Sequence, residues 1–198
     1  IILILLLSFT VAALAADETE SNQEEDVAAV VNGEKITMNE LNSFSIKKLE
    51  DRIFLQKAIY IIQVLGIDLR FRFSWYIYGP YSKELTHAAY DLDNNAELQK
   101  KADKLTIKKE AKKKIDLLKQ LLEKRPHDLD KSHWFELLSS IHYIKHISLN
   151  GCSDEKEIEG ILKKQKKKRF DESKFDSYFN EAWQSLKEVN LIDNKKID

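Results

Sequence analysis

Two histidines, His142 and His146, have the spacing that first suggests chemistry. They lie four positions apart in a helical pattern, so both rings share one face, where two imidazoles can chelate a metal ion. The residues between them are tyrosine, isoleucine and lysine, with no glutamate to act as a base and no nearby cysteine or carboxylate set to complete a site. We therefore expect a structural or surface role for both histidines, and the sequence predicts no metal site.

A basic run from Lys163 to Arg169 is the one dense cluster of positive charge in the sequence. Its candidate phosphate contacts are Lys166, Lys167, Lys168 and Arg169. The helix predicted after the run exposes Asp176, Glu181 and Glu188 rather than the arginines and amides that recognise bases. The net charge of −1 also provides no global attraction for nucleic acid. Nucleic-acid binding is thus the weakest of the three functions considered below.

The remaining chemistry-bearing residues form no catalytic set. The sequence contains no recognisable nucleophile–base pair, phosphate-binding loop or flanking carboxylate pair. Cys152 is the single cysteine, which excludes an internal disulfide and every metal site built from several cysteines. The sequence therefore predicts a protein that is not an enzyme, with no catalytic residue, no cofactor and no small-molecule substrate.

The elements that position these residues are predicted to be mostly helices. The 198 residues include five glycines and two prolines, a scarcity that favours long helices over a fold with many turns. A short segment of alternating apolar residues and an Asn-Gly turn predict limited β structure. The expected fold class is α+β, mainly α-helical with a small β-sheet or hairpin.

The apolar stretch from Arg52 to Leu92 is the predicted centre of the fold. Its first half, Arg52 to Leu65, is apolar on nearly every face, which predicts a buried helix ended by Gly66. The next part alternates, predicting a strand from Arg70 to Tyr78 with four residues on one face, Phe71, Phe73, Trp75 and Ile77. Gly79-Pro80 is predicted to stop this strand, and Ser82 to cap a helix that runs to Asp91.

The second half of the chain is predicted to be helical throughout. One or two helices are expected between residues 96 and 125, and three more follow. These three are Lys131–Ile147 after the cap Asp130, Asp154–Lys166 after the cap Ser153, and a last helix from the cap Asp171 to Asn190. Three helices in succession predict a C-terminal module that could resemble a helix-turn-helix unit.

A set of residues in the central stretch resembles a known family. Leu55-Gln56-Lys57, Phe73, Tyr78-Gly79-Pro80-Tyr81-Ser82 and Glu84-Leu85 are similar to the YwgA family and to the related Panacea, or SocA-like antitoxin, domain. The segment from Phe135 to Tyr143 resembles a later helix of that family. The resemblance extends from about residue 47 to the C-terminus, and it places a single domain at 45–198.

The resemblance implies a non-catalytic protein–protein interaction module, antitoxin-like or adaptor-like. SocA-like proteins neutralise a partner toxin and can deliver it to a protease, so the implied partner is a protein. Tyr76, Tyr78 and Tyr81 are the candidate partner contacts, because tyrosine is enriched at protein interfaces. Packing of the same tyrosines beneath a neighbouring helix is the alternative interpretation.

The first residues predict export. Residues 1–16 form an apolar run that ends in an Ala-x-Ala pattern, typical of a signal peptide whose start is missing, and residues 17–26 form an acidic linker. A membrane anchor is the alternative for the apolar run. The predicted location is therefore exported or membrane-anchored. It is cytoplasmic if the first 45 residues are not native to the domain.

Residues 27–44 predict a hairpin followed by the start of a helix. Asn32-Gly33 lies between apolar residues, and Thr37 and Glu40 have the spacing of a capping box. This segment resembles the mature N-terminus of SurA- and PrsA-like export foldases, although no parvulin domain follows it. The resemblance adds an alternative function, an exported chaperone-related protein that binds client polypeptides. A nucleic-acid-binding helix-turn-helix protein is the second alternative.

Overall fold

The computed structural model of the protein describes residues 27–31, 34–37, 48–103, 108–148 and 154–192. The strands of this part are β1 (Val27–Val31), β2 (Glu34–Thr37), β3 (Ser74–Tyr76) and β4 (Gly79–Tyr81). Its α-helices are α1 (Leu49–Val64), α2 (Lys83–Asn94), α3 (Ala96–Asp103), α4 (Lys109–Glu123), α5 (Lys131–Tyr143), α6 (Glu155–Gln165) and α7 (Phe175–Glu188). A π-helix, Ile144–Ser148, continues α5. The predicted α+β class, mainly α-helical, is confirmed.

Helix α1 is the centre of the core, as predicted. Its buried residues run without interruption from Ile53 to Ile62. A helix that is apolar on nearly every face must be covered on all sides, and α5 provides much of the cover. The rings of Phe54 and Phe135 meet edge to face across this contact, with centroids 5.0 Å apart. Gly66, with φ of 103°, adopts the left-handed conformation that follows the end of α1.

The predicted strand from Arg70 to Tyr78 is wrong in length and in its end. Strand β3 contains three residues and pairs antiparallel with β4, so that Ser74 faces Tyr81 and Tyr76 faces Gly79. Gly79-Pro80 therefore begins the partner strand β4 and does not simply end the predicted strand. Arg70 has φ of 59°, a left-handed conformation that interrupts any regular strand.

The alternating burial that suggested a strand is nevertheless present. Phe71 is buried, while Phe73 and Trp75 are half-buried and pack against the core. Ile77 departs from the predicted inward face, because it lies in the two-residue turn between β3 and β4 and is exposed. Alternate residues are thus buried along this segment, although most of its backbone is irregular. Only Ser74–Tyr76 forms a β-ladder with a partner strand.

The hairpin predicted in the N-terminal segment is present as two antiparallel strands. Val31 pairs with Glu34 and Val30 with Lys35, with an irregularity between Val27 and Ala29. Strands β1 and β2 pair with each other, and β3 pairs with β4, so the two hairpins form separate two-stranded sheets. The Asn-Gly turn, Glu40 of the predicted capping box and residues 1–26 lie outside the described residues.

The C-terminal helices pack on α5. The six residues of the apolar stripe predicted for the last helix are all buried in α7: Phe175, Tyr178, Phe179, Ala182, Trp183 and Leu186. The predicted start of this helix at Asp171 is wrong, because α7 begins at Phe175. The Asp171 carboxylate instead accepts a hydrogen bond from the Ser173 backbone N–H at 2.9 Å and so caps the turn before it.

Side-chain caps fix the starts of α2, α5 and α6. The Ser82 hydroxyl accepts a hydrogen bond from the Leu85 N–H at 3.3 Å, and Asp130 accepts one from the Ser132 N–H at 2.7 Å, as predicted. Helix α6 is capped by Asp154, not by the predicted Ser153. In the part of the chain that the structure describes, no helix has both the length and the apolar character needed to cross a membrane.

Candidate partner-binding site

A cavity of about 320 Å³ lies between the first turns of α1, the β3–β4 hairpin and α2. Its wall is largely apolar and aromatic, with Lys57, Arg52 and Gln56 among the polar groups. The lining residues on the helices are Leu49, Arg52, Ile53, Leu55, Gln56, Lys57, Thr86, Ala89 and Tyr90, and those on the hairpin are Tyr76, Tyr78, Gly79 and Tyr81. A volume of this order matches the small end of ligand-binding sites.

Gln56 fastens the hairpin side of the cavity to α1. Its amide nitrogen donates to the Ser82 carbonyl at 2.9 Å, and its amide oxygen accepts from the Ser82 N–H at 3.0 Å. One side chain therefore satisfies both polar groups of a buried residue's backbone. Two turns later Gln63 does the same for Phe71, with distances of 3.1 and 2.9 Å. The segments on either side of the hairpin are thus held by two glutamines of one helix.

Lys57 continues this contact and reaches the cavity. It is 2% exposed, and its Nζ donates to the Pro80 carbonyl at 2.6 Å. Among the described residues, no carboxylate lies within ion-pair distance of this ammonium group. Burial lowers the pKa of Lys57 to about 7, with Glu136 opposing the shift and Lys166 adding to it.

Gly79 allows the hairpin to approach α5 closely. Its φ of 92° is left-handed, and a Cβ added there would lie 2.6 Å from the Ser140 Oγ. Glycine is therefore required both by the backbone conformation and by the space. The Ser140 hydroxyl is buried and, among the described residues, makes no hydrogen bond.

Behind the hairpin lies a buried ion cluster, the glutamate cluster, formed by Glu136, Lys166 and Arg169. Glu136 is fully buried and accepts from Lys166 Nζ at 2.6 Å and from Arg169 Nε at 3.1 Å. The Arg169 guanidinium also lies over the ring of Tyr78, 4.9 Å from its centroid. The cluster therefore supports the back of the hairpin whose other side lines the cavity.

The three predicted contact tyrosines meet at this cavity. We call Tyr76, Tyr78 and Tyr81 the tyrosine wall. Tyr76 is 57% exposed, while Tyr78 and Tyr81 are half-buried. The rings of Tyr76 and Tyr81 have centroids 5.4 Å apart, and the Tyr81 hydroxyl accepts from the Thr86 hydroxyl at 2.9 Å. The structure thus brings together the residues that the sequence selected, and their contact with a partner stays a prediction.

The four candidate phosphate contacts do not form one surface. Lys166 is buried and Arg169 half-buried, and both are engaged with Glu136. Lys167 and Lys168 are exposed, and Lys167 pairs with Glu172 at 3.1 Å. The sequence contains a signal for this division. Ile158, Leu162 and Lys166 follow one another at intervals of four residues, so Lys166, at the end of α6, continues the buried face of that helix.

The two histidines have partners within the core. The Tyr60 hydroxyl lies 2.8 Å from Nδ1 of His142, and His146 Nε2 lies 2.9 Å from the Leu191 carbonyl oxygen. Burial, with a smaller contribution from His146, lowers the pKa of His142 to about 3, so its ring is neutral at physiological pH. Within the described residues, no three potential ligands from His, Cys, Asp and Glu are grouped as a metal would require.

Sequence reasoning missed Gln56, Lys57 and Glu136 as site residues. All three are polar residues within strongly apolar stretches, Ile53–Ile62 of α1 and Trp134–Leu138 of α5, and that contrast is the signal that could have identified them. Their partners are 23 to 33 positions away, beyond any helical periodicity.

A comparison of the chain with family models, with curated proteins and with solved structures finds no match.

Proposed function

We propose that this protein is a non-catalytic interaction module that binds a protein partner through the tyrosine wall and the cavity beside it. The observation that carries the proposal is the grouping of large exposed apolar side chains around a cavity. Ile77 is 70% exposed at the tip of the hairpin, next to Tyr76, and Leu49 and Tyr90 are exposed on the helices across the cavity. Such patches are typical of interaction sites.

Rigid support of this surface favours a binding role. The hairpin is held from α1 by Gln56 and Lys57 and from behind by the glutamate cluster. A preorganised surface loses little conformational entropy when it binds. The sequence resemblance to antitoxin-like domains further favours one folded partner, either a toxin-like protein or a protein delivered by an adaptor.

The test compares two isoleucines of similar exposure. Ile77→Asp places a charge on the proposed surface, whereas Ile147→Asp places one on the π-helix, where Ile147 is 50% exposed. We expect affinity capture from the native host to retain one stoichiometric protein with the wild type and with Ile147→Asp, and to lose it with Ile77→Asp. Equal capture by all three proteins would overturn the proposal.

The same experiment separates the alternative functions. Capture of many unfolded polypeptides in place of one partner would favour the chaperone-related function. The nucleic-acid alternative has less support, because Lys166 and Arg169 are engaged with Glu136. It requires binding of DNA at low salt that weakens as salt is added.

We propose an exported or membrane-anchored location from the sequence of residues 1–16. The test is a reporter enzyme that is active only outside the cytoplasm, fused after residue 45 and expressed in a bacterial host. Activity of the fusion supports export. Retention of an inactive reporter inside the cell would contradict export and favour the cytoplasmic alternative.

A further inference from the structure

Lys57 combines two properties that are rarely found together, burial without a carboxylate and contact with a cavity. A buried ammonium group is costly unless it is paired. Its one described hydrogen bond is to the Pro80 carbonyl, which carries no formal charge. Since the same residue lines the cavity, a ligand bound there is placed to provide the missing negative charge.

Counting the charges around Lys57 supports the need for an anion. The charged groups that act on it are Glu136 on α5 and Lys166 at the end of α6, and Arg169, in the turn that follows α6, contacts the same Glu136. Glu136 is the one carboxylate of this group, and its two oxygens accept from Lys166 and Arg169. On the cavity side, Arg52 adds a further positive charge to the lining. The site is therefore complementary to an anion.

The rest of the cavity specifies an apolar group next to that anion. Leu49, Ile53, Leu55 and Ala89 face the tyrosine wall across the space. We propose that the cavity binds the C-terminal residue of a partner protein, with its apolar side chain against the tyrosine wall and its carboxylate on the Lys57 ammonium group. This inference rests on the proposed function, because it names the part of the partner that enters the site.

A chain terminus suits the site better than an internal acidic residue or a free acid. A C-terminal residue carries a carboxylate and an apolar side chain on the same Cα, so both fit a space of about 320 Å³, whereas an internal acidic residue has no apolar side chain on its own Cα. If an internal residue occupied the cavity, the chain on both sides of that residue would have to leave the cavity. A free acid would make no use of Ile77, which is exposed outside the cavity lining, whereas we infer that the residues before a C-terminus extend from Tyr76 at the cavity towards Ile77.

The first experiment uses probes that differ only in charge. N-acetylphenylalanine and N-acetylphenylalanine amide are each titrated into the full chain at pH 6, and isothermal titration calorimetry measures their dissociation constants. We expect the acid to bind at least about tenfold more tightly, because a charge-assisted hydrogen bond is available only to the carboxylate. Equal affinities would overturn the inference.

The second experiment removes the amine. Lys57→Met keeps the apolar stem of the side chain without the charged amine, and Lys145→Met is the matched control, since Lys145 is also buried and does not line the cavity. Circular dichroism checks the fold of both. We expect the preference for the acid to disappear with Lys57→Met and to persist with Lys145→Met. A preference that survives in folded Lys57→Met would contradict the inference.

The pH dependence gives a result that needs no variant. With the free-state pKa of Lys57 at about 7, a bound carboxylate stabilises the protonated amine, so binding takes up a proton above that pH. We expect the advantage of the acid over the amide to fall as the pH rises from 6 to 9. An advantage independent of pH would show that another cation holds the carboxylate.

The last comparison separates a partner's C-terminus from a free acid. A hexapeptide ending in phenylalanine is expected to bind more tightly than N-acetylphenylalanine, and Ile77→Asp to remove only that difference. Equal binding of the two probes would mean that the site takes a free acid, which overturns the inference. If Ile77→Asp loses the partner while acid and amide bind equally, the proposed function stands and this inference fails.

Discussion

Lys57 and Lys166 are both buried lysines, and the contrast between them divides the structure into two regions. Lys166 Nζ lies 2.6 Å from a carboxylate oxygen of Glu136, within the glutamate cluster. Lys57 Nζ lies 2.6 Å from the carbonyl oxygen of Pro80, at the wall of a cavity. One ammonium group completes an internal ion pair, and the other has only a neutral acceptor within the described residues. Burial alone therefore does not distinguish a structural lysine from one available to a ligand.

The pKa values of the two lysines follow the same division. Burial lowers the pKa of both amines, but only Lys166 has a direct hydrogen bond to Glu136 that opposes the shift. Lys57 receives a longer-range interaction from the same carboxylate and repulsion from Lys166. The contrast thus depends on Glu136, which accepts a hydrogen bond from Lys166 and acts on Lys57 only at longer range.

The largest predicted effect comes from removing the charge that maintains this contrast. Glu136→Gln leaves Lys166 and Arg169 in the core without their carboxylate. We expect the free energy of unfolding to fall by about 3–5 kcal/mol, the usual cost of breaking a buried ion pair. Urea denaturation at pH 7, followed by circular dichroism, measures the change. A loss under about 1 kcal/mol would mean that charge does not stabilise the cluster.

A smaller loss is predicted for Gln56→Leu, which tests the attachment of the cavity wall. The Ser82 N–H would lose its partner in a buried position, while the Ser82 carbonyl keeps the Thr86 N–H, and the expected cost is about 1–3 kcal/mol. Gln63→Leu is the matched control, because its bonds to Phe71 are only partly buried and water can replace them. Equal losses from the two variants, again by urea denaturation, would show that burial of the Gln56 contact adds nothing.

The third prediction concerns the pH dependence of stability. Lys57 has a pKa of about 7 when folded and the ordinary lysine value of 10.5 when unfolded, so between these values the unfolded chain holds a proton that the folded chain has released. Raising the pH in this range therefore favours the folded state. Between pH 7 and 9 we expect the unfolding free energy of the wild type to rise by about 2 kcal/mol more than that of Lys57→Met. Parallel urea midpoints would contradict the assigned pKa.

The smallest effect is predicted for an exposed ion pair in the same basic run. The carboxylate of Glu172 pairs with Lys167 at 3.1 Å, and both side chains are exposed. Glu172→Gln should change the unfolding free energy by less than about 1 kcal/mol at physiological salt. The difference between the losses of unfolding free energy in Glu136→Gln and Glu172→Gln, measured in the same assay, gives the contribution of burial to an ion pair. Similar losses from the two variants would remove the distinction.

Hydropathy and capping patterns were enough to predict much of the fold. The continuous apolar character of α1, the stop at Gly66 and the cap at Ser82 are local properties, and all three are present. The stripe of α7 was predicted for the same reason, since period and burial coincide there.

Non-local contacts explain what the sequence did not predict. The pairing of β3 with Gly79-Pro80 depends on how the hairpin packs, not on alternation. In the candidate site, the tyrosine wall was predicted from residue type. Lys57 and Glu136 were not, because a pattern treats lysine and glutamate as surface residues, and their partners are distant in sequence.

The glutamine contacts of α1 have a consequence for how binding preference can diversify. Gln56, Lys57 and Gln63 bind backbone atoms of Ser82, Pro80 and Phe71, and none of these bonds involves a side chain of the tyrosine wall. Tyr78 and Tyr81 also contribute side-chain contacts, with Arg169 and Thr86 respectively, but the backbone attachment does not depend on the side chains at positions 76 and 77. Mutation can exchange those residues, as it does in the variable loops of recognition domains, while the scaffold that displays them is kept.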